Sequence, residues 1–226
     1  MRVGILFSGG KDSCLAFYKA RRYHDVVCLI SLISKNKESY MFHVPNISIT
    51  SLQAQAIGLP LIHKITEGKK EEELLDLEAA ILIAKKKFEI EGVVMGSIKS
   101  IYQASRIQKV CDKLSLWCFN PLWLRDQVEV LREGLSAGIK TIISGVFAYP
   151  LDINFLGKTI NDDMVAKLEI YARKYGLNPA GEGGEIETTV INAPFFKKEI
   201  EILEHDIVYK NYSGWFVIKR ARLIKK

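Results

Sequence analysis

Apolar runs of strand length alternate with amphipathic stretches through the first half of the chain. Runs that are apolar along most of their length predict strands covered on both faces of a sheet. They lie at 3–7, 26–33, 61–65 and 92–96, and a short strand follows at 117–119. Helical periodicity predicts helices after the first four strands, at 12–22, 50–57, 67–88 and 97–114. This regular alternation predicts an α/β fold built on a doubly wound parallel sheet.

After residue 123 the pattern changes, because strands and helices no longer alternate one by one. The predicted helices lie at 127–138 and 161–175. The predicted strands lie at 140–148, at 188–192, within 200–208 and at 215–223. We therefore predict a first, nucleotide-binding domain over 1–123 and a smaller C-terminal α+β domain over 124–226 that binds the substrate, although no change of composition marks a linker.

The junction between the first strand and the first helix carries the clearest chemistry. Adjacent glycines allow a tight turn, and the first N–H groups of the helix lie unpaired at the positive end of its dipole. Hydroxyls and a lysine add donors, so the segment predicts a phosphate site. Its residues are Ser8, Gly9, Gly10, Lys11, Asp12 and Ser13. Their spacing matches neither G-x-x-x-x-G-K-[ST] nor G-x-G-x-x-G. An ordinary turn with Ser13 as a cap is the plainer alternative.

A second candidate site is the acidic, glycine-rich segment 179–188. Carboxylates are rarely buried without partners, so a stretch this rich in glutamate and glycine is not a core element. Its glycines allow the backbone to wrap a ligand, and its carboxylates suit a cationic group, an amine or a metal. The alternative is a flexible acidic surface loop. The candidate substrate-binding residues are Glu182, Gly183, Gly184, Glu185, Glu187 and Thr188.

Two further segments follow predicted parallel strands, so we expect them at the same edge of the sheet as the phosphate loop. One begins with small residues and continues as a helix, and an ordinary amphipathic helix start explains it about equally well. The other is a long loop with aromatic residues and a histidine. The candidate nucleotide contacts are Gly96 and Ser97, and the candidate substrate contacts are Tyr40, Met41, His43, Tyr102, Gln103 and Arg106.

Composition and charge narrow the class of protein. With 226 residues, 48% of them hydrophobic, the chain has material for a substantial core. It shows neither a signal peptide nor an apolar run long enough for a bilayer, so we expect a cytoplasmic protein that does not enter membranes. None of its cysteines forms a C-x-x-C pair, which argues against a zinc knuckle or a redox pair. The net charge of +6 includes a basic C-terminal end that suits either RNA or solvent.

The segment SGGKDS at 8–13 resembles the SGGxDS loop of the PP-loop ATP pyrophosphatases, whose nucleotide domain is of the HUP type. Over its whole length the chain resembles the diphthine–ammonia ligases and their archaeal relatives among the N-type ATP pyrophosphatases. The segments that carry this resemblance are SGGKDS (8–13), ESYMFHVPN (38–46), GSIKSIYQASRIQKVC (96–111), FNPLW (119–123), LDINFLGKTI (151–160) and AGEGGEIETTVINAPFF (180–196).

The resemblance implies amide formation. These enzymes adenylate the carboxylate of diphthine, a modified histidine of translation elongation factor 2, and ammonia then displaces AMP. By resemblance, the segment 8–13 would hold the departing pyrophosphate, with Lys11 and Asp12 as catalytic residues and Asp12 as a ligand of Mg²⁺. The acidic segment would receive the diphthine end with its trimethylammonio group. The implied small molecules are ATP, Mg²⁺ and ammonium, and a homo-oligomer is compatible with the sequence.

Two other functions stay open at this level. One is RNA modification by a PP-loop enzyme, which the basic end of the chain favours slightly. The acidic segment would repel a phosphate backbone, however, and nucleic acid is therefore not the expected partner. The other is a nucleotide-binding regulatory module of the universal-stress type, which would use the phosphate loop and leave the acidic segment unexplained. The product pair of AMP and pyrophosphate distinguishes an adenylating enzyme from such a module.

Overall fold

The computed structural model describes residues 1–34, 46, 49–67 and 72–226. Its first part is a five-stranded parallel sheet in the order β3-β2-β1-β4-β5. The strands are β1 (Arg2–Leu6), β2 (Asp25–Ser34), β3 (Leu61–Thr66), β4 (Gly92–Val94) and β5 (Trp117–Phe119). The helices between them are α1 (Lys11–Ala20), α2 (Thr50–Ile57), α3 (Glu72–Phe88) and α4 (Ile101–Lys113). This order confirms the predicted doubly wound α/β fold.

The second part is a four-stranded antiparallel sheet in the order β7-β6-β9-β8. Its strands are β6 (Lys140–Val146), β7 (Ile186–Asn192), β8 (Lys198–Lys210) and β9 (Ser213–Lys225). Helices α5 (Gln127–Ser136) and α6 (Asp162–Tyr175) and a 3-10 turn (Ile153–Phe155) complete it. Asp126 and Asn161 cap the two helices with side-chain oxygens, and Gly176 ends α6 in the left-handed conformation.

Two apolar layers cover the parallel sheet. One face packs against α3 and α4, through residues such as Ile30 and Ile81. The other face packs against α1 and α2, and this layer continues without a break into the antiparallel sheet, where Val146 and Val190 join it. The domain boundary expected after residue 123 falls between β5 and α5 and stays a prediction. The shared apolar layer holds the two sheets side by side, so that side chains of both can lie near the loop 8–13.

The basic end of the chain forms part of a long hairpin. Strands β8 and β9 are 13 residues each and longer than the sequence pattern predicts. Three cations of β9 pair with acidic side chains of β8, with nitrogen–oxygen distances of 2.6–3.8 Å. The pairs are Lys219–Asp206, Arg220–Glu204 and Arg222–Glu201. These ion pairs leave less free positive charge for RNA than the sequence suggests.

The described helices include none that is both long and apolar enough to cross a membrane.

Candidate functional site

The phosphate loop lies where the parallel sheet reverses its strand order. Strand β1 occupies the centre, with β2 on one side and β4 on the other, and ligands of such sheets bind outside the carboxyl ends of the strands at this point. The loop 8–13 follows β1 and the segment 95–100 follows β4. The two segments touch, because a side chain at Gly96 would stand 2.7 Å from the backbone oxygen of Asp12. Gly96 therefore lies beside the phosphate loop, and its predicted contact with a nucleotide stays a prediction.

Hydrogen bonds within the loop hold its shape. Gly9 has a φ of +78°, a conformation that glycine adopts at little cost. The Ser13 hydroxyl donates to the Gly10 carbonyl at 3.1 Å, and the Ser8 and Ser13 hydroxyls lie 3.2 Å apart. Helix α1 begins at Lys11 with Gly10 as a cap residue that has no side chain. The start of α1 therefore keeps the positive end of its dipole directed at the loop, which suits an anion.

Strand β7 of the other sheet supports the loop from one side. The Val190 N–H donates to the Gly9 carbonyl at 3.0 Å, and the Lys11 N–H donates to the Thr188 hydroxyl at 3.2 Å. The amide of Gln53 on α2 donates to the carbonyls of Gly9 and Val190, at 2.8 Å each. Gln53 is fully buried. Gln53 is not among the residues predicted from the sequence, although a polar residue on the apolar face of α2 could have indicated it.

Lys11 and Asp12 form a largely buried pair. The Lys11 ammonium contacts Asp12 Oδ2 at 2.7 Å and also donates to the Ala180 carbonyl. Asp12 Oδ1 is buried and has no hydrogen-bond partner within the described part of the chain. Burial raises the pKa of the Asp12 carboxyl, Lys11 opposes that shift, and Glu182 adds to it. The lysine thus ties the phosphate loop to the acidic segment and leaves one carboxylate oxygen for a cation.

Two glutamates of the acidic segment accept hydrogen bonds from other groups of the protein. Glu182 Oε1 accepts the backbone N–H groups of Lys99 and Ser100, at 2.7 Å each, just before α4. Glu185 accepts from the Asn178 amide at 2.6 Å and from the Gly183 N–H at 2.9 Å. Both carboxylates therefore position the segment. Their proposed contact with substrate stays a prediction.

Glu187 differs, because it belongs to strand β7 rather than to the loop. It lies opposite Gly145 of β6 and is half-buried. Burial raises the pKa of its carboxyl to about 7, Lys11 opposes the shift, and Asp12 adds to it. Electrostatic contact with both residues places this carboxylate beside the phosphate loop. Of the three glutamates, it is the one whose carboxyl interacts electrostatically with both Lys11 and Asp12.

The start of α4 supplies further polar groups. Ser97 is buried, and its hydroxyl has no hydrogen-bond partner among residues 1–34, 46, 49–67 and 72–226. Arg106 stacks its guanidinium on the Tyr102 ring at 3.6 Å from the centroid. The Gln103 N–H donates to the Ser100 hydroxyl, which caps the helix. Ser97 therefore has a free hydroxyl for a ligand, while Tyr102 and Arg106 hold each other.

Three predicted substrate contacts, Tyr40, Met41 and His43, lie outside the described residues. Asn46, at the end of their segment, is described. Its amide donates to the Phe216 carbonyl at 2.9 Å, and its carbonyl accepts from the Ile218 N–H at 2.7 Å. Asn46 is therefore held by strand β9 of the antiparallel sheet.

The raised pKa of Glu187 predicts a pH-dependent stability. Between its ordinary value of 4.5 and about 7, the folded protein holds a proton that the unfolded chain releases. The free energy of unfolding therefore falls as the pH rises through this range, and the loss is complete above it. We expect Glu187→Gln to leave the melting temperature unchanged near pH 4 and to raise it above pH 8. The corresponding gain in the free energy of unfolding above pH 8 is about 1–3 kcal/mol. Thermal unfolding across this range measures the difference, and a constant difference would contradict the assignment.

The Glu182 contacts predict a separable structural role. Glu182→Ala removes the acceptor for two N–H groups, and we expect it to cost about 1 kcal/mol of unfolding free energy and to weaken the link between the acidic segment and α4. Glu182→Gln keeps an acceptor oxygen, so it should retain most of that stability. Chemical denaturation of both variants makes the comparison. Equal losses would show that the carboxylate charge, rather than the hydrogen bonds, matters.

Comparisons with known proteins agree with this arrangement. The family model "Diphthamide synthase N-terminal domain" matches residues 1–117, and "Diphthamide synthase C-terminal domain" matches residues 126–224. Diphthine–ammonia ligase of Mus musculus is 35% identical over 99% of this chain and 91% of its own length. The Homo sapiens protein of the same name is 34% identical over 100% and 91%.

A solved structure from Methanocaldococcus jannaschii, titled as a predicted subunit of tRNA methyltransferase, is similar with a TM-score of 0.44 and 15% identity. The match covers 86% of this chain and 98% of that one. A likeness this distant has no bearing on function.

The two family models together span nearly the whole chain, and the relatives match along almost their full lengths. The chain therefore belongs to the diphthamide synthase family.

Proposed function

We propose that this chain is an ATP-dependent ligase that converts diphthine on translation elongation factor 2 to diphthamide. The observation that carries the proposal is the junction of the phosphate loop with the acidic segment. The Lys11 N–H donates to Thr188, and the Lys11 ammonium reaches the Ala180 carbonyl. A binding site for the phosphates of a nucleotide thus lies next to an acidic segment that could bind a cation. This arrangement suits adenylation of a carboxylate that stands beside a trimethylammonio group.

The proposed reaction has two displacements. An oxygen of the diphthine carboxylate attacks the α-phosphorus of ATP, and the bond to the β-phosphate oxygen breaks, which releases pyrophosphate. The lone pair of ammonia then attacks the carbonyl carbon of the adenylate. The bond to the phosphate oxygen breaks, AMP leaves with that electron pair, and the nitrogen loses its extra proton to give the amide. Ammonium from solution supplies the nitrogen and loses one proton at the site to give the ammonia that attacks.

The loop 8–13 would bind the phosphates that leave. The dipole of α1 and the hydroxyls of Ser8 and Ser13 would stabilise charge that develops on pyrophosphate. Ser97 follows Gly96, which lies against Asp12, and its buried hydroxyl has no hydrogen-bond partner in the described part of the chain. The Lys11 ammonium would contribute a positive charge near the phosphates while it donates to the Ala180 carbonyl. The segment 1–123 is in this proposal the nucleotide-binding domain.

Asp12 fits a magnesium ion. Its Oδ1 is buried without a partner among the described residues, and these residues include no cluster of three or more His, Cys, Asp or Glu side chains that could hold a metal. Magnesium is often held by one or two carboxylates together with substrate phosphates. When bound, the ion would neutralise phosphate charge. Asp12 would then be its protein ligand.

The C-terminal part would bind diphthine. Thr188 and Val190 of β7 contact the phosphate loop, Glu187 interacts electrostatically with Lys11 and Asp12, and Glu182 and Glu185 hold the segment in place. The same surface must accept the folded elongation factor around the modified histidine. We therefore assign substrate recognition to residues 124–226, together with Tyr102, Gln103 and Arg106 of α4.

A product assay tests the proposal. The protein would be incubated with ATP labelled at the α-phosphate, Mg²⁺, ammonium and elongation factor 2 that carries diphthine. We expect labelled AMP with this factor and none with the same factor before diphthine formation, which is the matched control. Labelled AMP that appears with tRNA instead would support RNA modification. Labelled ADP, or binding without turnover, would support a regulatory nucleotide-binding module.

A further inference from the structure

Three strands of the antiparallel sheet bring an acidic and an aromatic side chain to either side of one glycine. Gly145 of β6 is the register partner of Glu187 on β7 and of Trp215 on β9. Register partners in adjacent strands point to the same face of the sheet. Because Gly145 has no side chain, the middle position of the row Glu187–Gly145–Trp215 contributes only backbone atoms.

The ring of Phe147 lies over that middle position. Phe147 is two residues after Gly145, and a Cβ at Gly145 would stand 2.8 Å from this ring and 3.0 Å from Cβ of Glu187. The rings of Phe147 and Trp215 have centroids 4.2 Å apart and planes at 58°. The Phe147 N–H also donates to the Glu185 carbonyl at 2.9 Å, which fixes its backbone to the acidic segment. All three side chains are half-buried and so reach solvent on one side.

This aromatic and acidic surface adjoins the phosphate loop. Glu187 precedes Thr188, whose hydroxyl accepts the Lys11 N–H, and Glu187 interacts electrostatically with Lys11 and Asp12. Neighbouring side chains of a strand point to opposite faces, so Glu187 and Thr188 leave β7 on opposite sides. The electrostatic interaction of Glu187 with Lys11 and Asp12 is what places a group bound by Glu187 and the two rings near the loop. The trimethylammonio group of diphthine stands on the carbon that bears the carboxylate, so the two groups must be held close together.

We infer that Phe147, Trp215 and Glu187 form the subsite for the trimethylammonio group of the substrate. The inference rests on the proposed function, which supplies that substrate. A quaternary ammonium carries a permanent charge and no N–H, so hydrogen-bond acceptors cannot fix it. Aromatic faces attract such a cation through their quadrupole, and a nearby carboxylate adds charge attraction. Gly145 is part of the subsite, because any side chain there would displace the Phe147 ring.

Kinetics of two variants test the inference. We expect Trp215→Leu and Phe147→Leu to raise the KM for diphthine-bearing elongation factor about tenfold, because they remove cation–π attraction. The KM for ATP should stay unchanged, since the contacts that hold the phosphate loop come from Thr188, Gln53 and Val190. Trp215→Phe keeps an aromatic face and should restore most of the affinity. Trp117→Leu, at the exposed edge strand β5, is the matched control and should behave as wild type.

A small-molecule probe tests the same subsite without reliance on any one variant. Glycine betaine contains the same arrangement of trimethylammonio group and carboxylate on one carbon. We expect it to inhibit the wild-type enzyme competitively against the factor and glycine to inhibit far more weakly. This preference should be lost in Phe147→Leu, which serves if Trp215→Leu fails to fold.

The outcomes separate the two proposals. Wild-type protein that forms no AMP with the diphthine-bearing factor would overturn the proposed function. Active wild-type protein together with an unchanged KM in the folded leucine variants, or with equal inhibition by betaine and glycine, would overturn the subsite and leave the proposed function standing.

Discussion

Replacement of Asp12 by asparagine is expected to reduce AMP formation at least about 100-fold while the protein stays folded. Asparagine has nearly the shape of aspartate, so packing at the start of α1 is kept. It lacks the negative charge that pairs with Lys11 at 2.7 Å and that would hold Mg²⁺ through Oδ1. Because burial raises the pKa of Asp12, its ionised form is costly to the fold, and loss of the charge should not lower stability.

Initial rates of AMP release with saturating diphthine-bearing factor measure this effect, and thermal unfolding checks the fold. Asp206→Asn is a matched control, because Asp206 lies 57% exposed on β8 and pairs with Lys219 far from the phosphate loop. We expect its rate to equal that of the wild type. If Asp12→Asn kept a rate within about threefold of the wild type, Asp12 would have neither an electrostatic nor a metal-binding role.

Replacement of Gly96 by alanine is expected to have the second large effect, a loss of ATP affinity of tenfold or more. A methyl group at this position would stand 2.7 Å from the oxygen and 2.8 Å from the carbon of the Asp12 backbone. Backbone atoms at the start of α1 cannot move aside as a flexible side chain can. The phosphate loop must therefore shift from β4, at a cost of about 1–3 kcal/mol.

Gly134→Ala is the matched control for this substitution. Gly134 lies within α5, and a Cβ there would meet no atom within 4 Å. Because alanine favours the helix over glycine, this variant should be slightly more stable, by about 0.5–1 kcal/mol, with unchanged ATP binding. Calorimetric titration of both variants with a non-hydrolysable ATP analogue makes the comparison. Equal ATP affinity in the two variants would contradict the close approach of β4 to the loop.

The phosphate loop and the parallel sheet were predictable because their signals are local. The apolar run before Ser8, the two adjacent glycines and the helical pattern after Asp12 occupy consecutive positions. Gly96 follows a strand of the predicted parallel sheet, so the doubly wound fold places it at the same edge as the loop. The family, too, was predictable, since its motifs are spread from end to end, and the two family models confirm it.

The supports of the site were not predictable, because they depend on contacts between distant segments. Gln53 looks like a neutral helix residue until β7 places Val190 beside Gly9. Phe147 and Trp215 are far apart in sequence, and only the register of three antiparallel strands puts them around Gly145. Sequence alone also treats the three glutamates as one group. The start of β7 at Ile186 separates Glu187, on a strand, from Glu182 and Glu185, which bind protein groups.

The length of the last hairpin was underestimated for a similar reason. Alternating charged and apolar positions in β8 and β9 resemble a solvated surface when each strand is considered alone. Paired across the hairpin, the opposite charges face each other, as in Arg222 and Glu201 at 2.6 Å. The strands therefore continue to Lys210 and Lys225.

Amide formation on diphthine at the expense of ATP is seen most directly by mass spectrometry of elongation factor 2 after a reaction with ATP and isotopically labelled ammonium. We expect the diphthine peptide to gain one labelled nitrogen, with the mass of an amide in place of a carboxylate, and one AMP to appear for each amide. A diphthine peptide of unchanged mass, after a reaction in which ATP is consumed, would contradict it.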